Sequence, residues 1–315
     1  MRRPAFSLVE VLVTIAIVAV LVHIAIPSVV AAREAARMRQ CQENLRQLGL
    51  ACLEYESAHG HFPSGGWNWY WVGNPNRGLG ENQPGGWFYN VLDFLEQQDL
   101  RAAGLNLDGL QRAIAIRDRC ETPLQLANCP SRREARPYPQ LTEGTSPSTN
   151  TVPDVPPRWA GRTDYAINSG DRADPDLRHG PKSLESVDKG QFKWPSTRMF
   201  TGVSFTRSAV TPGHISDGLS KTYLIGEKSL SWKQYATGRD LGDNENMYTG
   251  FNNDSVRTAM VELQGDGWQS VGFSGFGSAH VQGVNFVWCD GSASVIRFDT
   301  EHDTHRSFAN RRDNL

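Results

Sequence analysis

Three groups of residues in this chain have the types and spacing for chemistry. The first is His280, followed after nine residues by Asp290-Gly291. A histidine and a carboxylate can serve as a base and its orienter. The second is the acidic stretch "GRDLGDNENMYTGFNND". Here Asp240, Asp243, Asn244, Glu245 and Asp254 offer hard oxygen ligands of the kind calcium prefers. The third is Glu10, a carboxylate near the start of an apolar run. An unpaired charge in hydrocarbon costs about 2.5–3.5 kcal/mol on insertion scales. Glu10 is therefore expected to have a partner or a function, or else to sit at the interface and reach the headgroups.

Each group also has a plainer reading. Asp-Gly is a turn dipeptide, and His280 can bond to loop backbone. No activated nucleophile, phosphate loop or dinucleotide fingerprint accompanies them, so the chain is read as not an enzyme. The acidic stretch lacks EF-hand spacing and reads first as a solvated loop, with calcium at Asp240, Asp243 and Glu245 as the one cofactor expectation. His59 and His61, where helix gives way to loop, are read as ordinary loop histidines. The five cysteines are Cys41, Cys52, Cys120, Cys129 and Cys289, and no two are two to four residues apart, so no local zinc-type pair exists. Outside the cytoplasm one or two disulfides could form. Cys41 and Cys52, on one helical stripe, are too far apart to bond to each other.

The elements that must position these residues begin with the apolar run. Ser7 to Ile26 is long enough to cross a bilayer, which needs about 20 apolar residues. A plain anchor and a secretory signal peptide are the first two readings. The second fails on length, because signal cores run to about 7–15 residues. Past Pro27 the pattern stays helical to about His59. Met38, Cys41, Leu45, Leu48, Cys52 and Tyr55 recur at spacings of three and four, a stripe that docks the helix on its own body. "GGWFYNVLDFLEQQDL" predicts a second helix, with Phe88, Val91, Leu92, Leu95 and Leu100 on one face. Leu124 to Cys129 reads as a short strand, residues 138–162 as an exposed Pro/Ser/Thr-rich loop, and 172–194 as a polar loop. Lys221–Gly226 reads as a strand with Tyr223 and Ile225 opposite Leu224. "VNFVWCDGSASVIRF" reads as a hairpin with a two-residue type I′ turn at Asp290-Gly291, and with Val284, Phe286 and Trp288 on one face. With 32 Lys+Arg against 34 Asp+Glu, the net charge of −2 gives no sign of a nucleic-acid partner.

The third reading of the N-terminus comes from spacing. A basic leader, MRRPA, precedes Phe6; Glu10 is fifth counted from Phe6, and Pro27 twenty-second. This resembles the signal of type IV pilins and type II secretion pseudopilins. The resemblance implies cleavage between Ala5 and Phe6 by a prepilin peptidase and methylation of the new amino group of Phe6. It also implies that Glu10 neutralises a subunit's N-terminal ammonium, usually a neighbour's, during assembly. The family prefers Gly where this chain has Ala5. The implied organisation is a leader at 1–5, a transmembrane helix at 6–27, a helical continuation at 28–60 and a globular domain at 61–315. Pro27 is expected to kink the helix without ending it.

Five further pieces resemble domain-of-unknown-function family 1559, a pseudopilin-like group. They are "QCQENLRQLGLACLEYESAHGHFPSG", "NCPSRR", "TDYAINSGD", "ISDGLSKTYLIGEK" and "SAHVQGVNFVWCDGSASVIRF". The last holds the family's C-terminal motif of His280, Asp290 and Gly291. The resemblance implies an α+β, pilin-like fold, with a long N-terminal helix packed on an antiparallel sheet carrying large loop insertions. It implies a structural subunit of a type II secretion or type IV pilus-like assembly in the bacterial inner membrane, with its N-terminus cytoplasmic and its globular domain extracytoplasmic. Its partners would be the peptidase, other pseudopilin subunits or a secretion platform, and the lipid bilayer. The alternative is a membrane-tethered extracytoplasmic module that binds a ligand.

Overall fold

A computed structural model describes residues 7–140, 157–172, 180–267 and 274–313. The expected cleavage pair, Ala5 and Phe6, and most of the 138–162 loop lie outside the described residues. Helix α1 runs from Leu8 to His59. At 1.5 Å per residue it is about 78 Å long. Its start is an S-x-x-E capping box. Ser7 Oγ accepts from the Glu10 backbone N–H, and the Glu10 carboxylate accepts from Ser7 N and Ser7 Oγ, each at 2.9 Å. Its end is Gly60 in the left-handed conformation, whose N–H reaches Glu56 O at 2.7 Å. Pro27 lies inside it. From Leu8 to Val30 every residue is exposed, whereas Cys41, Leu45, Leu48, Cys52 and Tyr55 are fully buried. The predicted stripe is thus the docking seam, with Met38 half-buried at its margin.

The remaining helices are α2 (Trp87–Asn90), α3 (Gln98–Ala102), α4 (Gly109–Glu121), α5 (Leu184–Asp188) and α6 (His302–Ala309). The strands are β1 (Tyr138–Pro139), β2 (Trp159–Ala160), β3 (Tyr165–Asn168), β4 (Tyr223–Glu227), β5 (Val256–Arg257), β6 (Gln264–Gly265), β7 (Gly277–Ser278), β8 (Val284–Trp288) and β9 (Ala293–Ile296). The central sheet has the order β5-β3-β4-β8-β9. All its pairs are antiparallel except β3 with β5. The α1 seam packs on β8, β4 and β9. Val287 and Cys289 face it, while Val284, Phe286 and Trp288 face a second core closed by α6 through Phe308 and Ala309. This alternation is the one the hairpin pattern predicts.

Several local expectations are corrected. The single helix expected over 85–100 is broken into α2, a 3-10 turn at Leu92–Leu95 and α3, because Glu96 takes a left-handed conformation (φ 57°) that ends a helix. Leu124–Cys129 is not a strand; Gln125–Ala127 forms a 3-10 turn. The 172–194 loop contains α5. In β4 the register shifts between Tyr223 and Ile225, so Leu224 and Ile225 both join the core on the α1 side while Tyr223 joins the other. The loop closed by the Trp288–Ser292 pair has three residues, 289–291, not two. Gly291 N donates to Trp288 O, and Trp288 N donates to Ser292 O. Asp290 is not in the positive-φ region that a type I′ turn needs, and Gly291 alone is, at φ 84°.

Gly291 therefore still carries the turn. A Cβ there would also lie 2.9 Å from Leu53 Cδ1 on α1. We expect Gly291→Val to lower stability by about 1 kcal/mol or more. Thermal unfolding of the detergent-extracted chain checks this, and an unchanged midpoint would refute the turn. A second expectation concerns His305 in α6, fully buried and held to about 3 by burial, with His302 acting the same way. Below its ordinary 6.5 the unfolded chain takes up a proton that the folded chain refuses. Stability should fall as pH falls through that window, and fall less steeply in His305→Gln. Equal slopes for the two proteins would count against this account.

Candidate functional site

The exposed half of α1 is long and apolar enough to cross a membrane. Glu10 sits near its start, held by Ser7 of its own chain. The expectation that Glu10 meets the Phe6 ammonium involves a residue outside the described set.

The carboxylates of the calcium expectation have partners of their own in the fold. Asp243 is buried among three cations, with Oδ1 2.9 Å from Lys228 Nζ, Oδ2 3.3 Å from Arg162 Nη1, and Arg133 bonded to both oxygens. Burial alone would raise its carboxyl pKa. Arg133, Lys228 and Arg162 outweigh that and hold it well below the usual carboxylate range. Lys228 ends below its ordinary value, because burial outweighs the attraction of Asp243. Asp240 accepts from Ser231 N and Gly242 N, and Glu245 accepts from Asn244 and Asn252 side chains. Asp254 accepts from Glu245 N. The stretch reads as acidic only along the chain; in the fold its cations are Arg133 and Arg162, 110 and 81 residues before Asp243, and Lys228, just past the end of β4.

His280 and Asp290 do not meet as base and orienter. Asp290 accepts from Ser292 N and Ser292 Oγ at the exposed hairpin tip. His280 is buried at the opposite end of β8, and its ring faces other groups. Its Nδ1 is 2.7 Å from Glu34 Oε1 on α1, and its Nε2 is 3.5 Å from both Cys129 Sγ and Glu227 Oε1. Cys129 Sγ is in turn 2.8 Å from Cys41 Sγ. Thus Cys41, Cys129, Glu227 and His280 present ligand-type atoms all within 4.8 Å of one another, and all four residues are buried. Sequence spacing gave no zinc-type cysteine pair; the fold makes one from residues 88 apart.

The surroundings hold these four in place. Glu227 Oε2 accepts from Ser278 Oγ at 2.8 Å and from Asn285 N and Nδ2, each at 2.9 Å. Ser131 Oγ lies 3.0 Å from both oxygens of Glu34. Cys129 N donates to Asp164 Oδ2 at 2.7 Å, and Asn44 on α1 donates to Asn128 O and Tyr165 Oη. Asp164 also pairs with Arg133, while Arg132 pairs with Asp266 at 2.7 Å. The hydrogen bond from Cys41, together with burial, keeps the Cys129 thiol well above its ordinary pKa. Burial works against a charged His280, but Cys129, Glu227 and Glu34 outweigh it and hold its pKa up to about 9.

A long N-terminal apolar helix laid on a mixed, mostly antiparallel sheet defines an α+β pilin-like arrangement, and the leading segment gives its class. Residues 1–26 match the prokaryotic N-terminal methylation motif. That motif implies processing by a prepilin peptidase, and with the apolar helix it marks a membrane-anchored, pilin-like protein. Residues 30–302 match the family described as protein of unknown function (DUF1559), also called SBP_bac_10, and the chain belongs to that family. No curated protein and no solved structure matches the chain.

Replacing Asp243 by Asn would leave Arg162 and Lys228 buried without their ion-pair partner and Arg133 with Asp164 alone. Breaking such a group costs about 3–5 kcal/mol. We expect that loss in denaturant unfolding of the extracted chain, and a loss under about 1 kcal/mol would refute the pairing. Millimolar calcium should leave the parent's melting midpoint where it is.

Proposed function

We propose that this protein is a structural, non-enzymatic subunit of a type II secretion or type IV pilus-like assembly in the inner membrane. Its N-terminus would be cytoplasmic and its body extracytoplasmic. One observation supports this most. The apolar half of α1 is bare from Leu8 to Val30, yet it is continuous with a half that is bolted to the folded body. Such a surface is stable only in lipid or against other helices. Subunits that exchange lipid for each other's helices would form the core of a filament. The body, tied to the same rigid helix, would be carried on its outside. Arg2 and Arg3 favour the cytoplasmic N-terminus on the positive-inside rule, against which Arg33, Arg37 and Arg39 weigh. The partners on this reading are the peptidase, sister pseudopilins or their platform, and the bilayer.

Glu10 has two roles on this reading. It closes the capping box with Ser7, and after cleavage it lies where the Phe6 ammonium of its own or a neighbouring subunit can neutralise it. The two roles separate by substitution. Glu10→Gln keeps a side chain that can close the box but loses the charge; Glu10→Leu loses both. Both variants should be inserted and cut after Ala5, since the leader and Phe6 are intact. Glu10→Leu should fail to crosslink into higher-order assemblies, and Glu10→Gln should be intermediate. Mass spectrometry of the mature N-terminus and crosslinking in membranes report the two steps. If Glu10→Leu assembles as well as the parent, the carboxylate is an interfacial residue only and the proposal loses its physical basis.

A further inference from the structure

We propose that Cys41, Cys129, His280 and Glu227 form a binding site for one transition-metal ion of the zinc type, which clamps α1 to the body. The donor set is two thiols, an imidazole and a carboxylate. Such a set suits Zn²⁺ and its neighbours, not the hard cations calcium and magnesium. A tetrahedral site with bonds of about 2.0–2.3 Å puts its ligand atoms about 3.3–3.8 Å apart. Two of the observed separations, Cys129 Sγ to His280 Nε2 and His280 Nε2 to Glu227 Oε1, are 3.5 Å. The sulfurs are closer, at 2.8 Å, and must spread by about an ångström to admit an ion.

Two observations beyond the clustering point to a ligand. Glu227 is fully buried, and while its Oε2 takes three donors, its Oε1 has no hydrogen-bond partner. A buried carboxylate oxygen without a hydrogen bond is costly, and this one faces His280 Nε2 at 3.5 Å on the cysteine side. The second is the Glu34 carboxylate at His280 Nδ1. It makes Nδ1 the donor and aims Nε2 at the cluster, where loss of its proton to an incoming ion would free a lone pair, the carboxylate–histidine arrangement that orients metal ligands. Ser131 holds that carboxylate in turn. Binding would release the two thiol protons and the imidazolium proton of His280 to solvent, giving two thiolates, a neutral imidazole and a carboxylate around a dication. The net charge of −1 would be offset in part by Arg132, which lies within electrostatic reach of Cys129. A disulfide between the cysteines would need an oxidant, and it would leave the Glu227 oxygen without a hydrogen bond.

The position gives the ion a task. Cys41 is the first fully buried residue of α1, and the other ligands come from the loop after α4, the end of β4 and the turn before β8. The bound ion would cross-link the root of the bare helix to three separate parts of the body.

The test uses the full chain extracted from membranes in detergent without chelator or reductant. Elemental analysis should find about one zinc per chain. Cys129→Ser, His280→Ala and Glu227→Gln should each cut that content at least tenfold, while Cys52→Ser, elsewhere in the core, should keep it. If a variant fails to fold, the parent alone decides. Stripped of metal and given Co²⁺, it should develop the thiolate charge-transfer absorption of a tetrahedral site. A parent with no metal and no cobalt spectrum would overturn the proposal, as would recovery of the Cys41 and Cys129 peptides joined as a disulfide from untreated membranes.

Discussion

At Gly49 the stalk helix lies so close to the sheet that an added Cβ would come within 2.7 Å of Val287 Cγ2. That approach sets the depth of the α1 seam. Leu45, Leu48, Cys52 and Tyr55 can then bury fully in one core with Val287, Cys289 and Leu224. The same depth brings Cys41 and Asn44, one to two turns earlier, onto the 128–129 segment. A bulkier residue at 49 would lift the helix off β8 and separate both contacts. The seam also has to hold a segment whose other half has no contact with the body. Fully burying one large apolar side chain contributes about 1.5–3 kcal/mol, so a stripe of several is the natural way to seat such a helix.

The segment behind the seam is held by charge. Asp164 and Asp243 between them engage Arg132, Arg133, Arg162 and Lys228, all buried. A network of this kind stabilises less than apolar packing of the same volume, but it is costly to break. Its effect here is positional. The "NCPSRR" segment is fixed to β3 through Asp164 and to the 240–243 turn through Asp243, so Cys129 and Ser131 face α1 with little freedom.

What was legible in the sequence follows the range of the interactions. The docking stripe of α1 and the face alternation of β8 arise from periodicity within a few residues, and both were readable. The break at Glu96, the register shift in β4 and the third residue of the β8–β9 loop depend on backbone choices that periodicity does not encode. Asp243 looked like a calcium ligand because the two arginines that pair with it are remote in sequence. The Cys41–Cys129–Glu227–His280 cluster was invisible to spacing rules for the same reason. One signal was available. The five family-like pieces each contribute to this site, through Cys41 and Asn44, Cys129 and Ser131, Asp164 and Tyr165, Glu227, and Ser278, His280 and Asn285. Segments scattered along a chain that share polar and sulfur residues can be the walls of one site.

Because α1 passes through Pro27 as one helix, its two halves share an angular phase. The side of the rod that the body occupies determines the direction in which Glu10 and its neighbours project, tens of ångströms away. Each residue added or removed between the bare half and the seam would turn one half against the other by about 100°. Seven residues together would nearly restore the original direction, leaving an offset of about 20°. The length of this stretch is therefore a dial as well as a spacer, and lineages that alter it would have to do so in near-whole turns to keep the body on the same side.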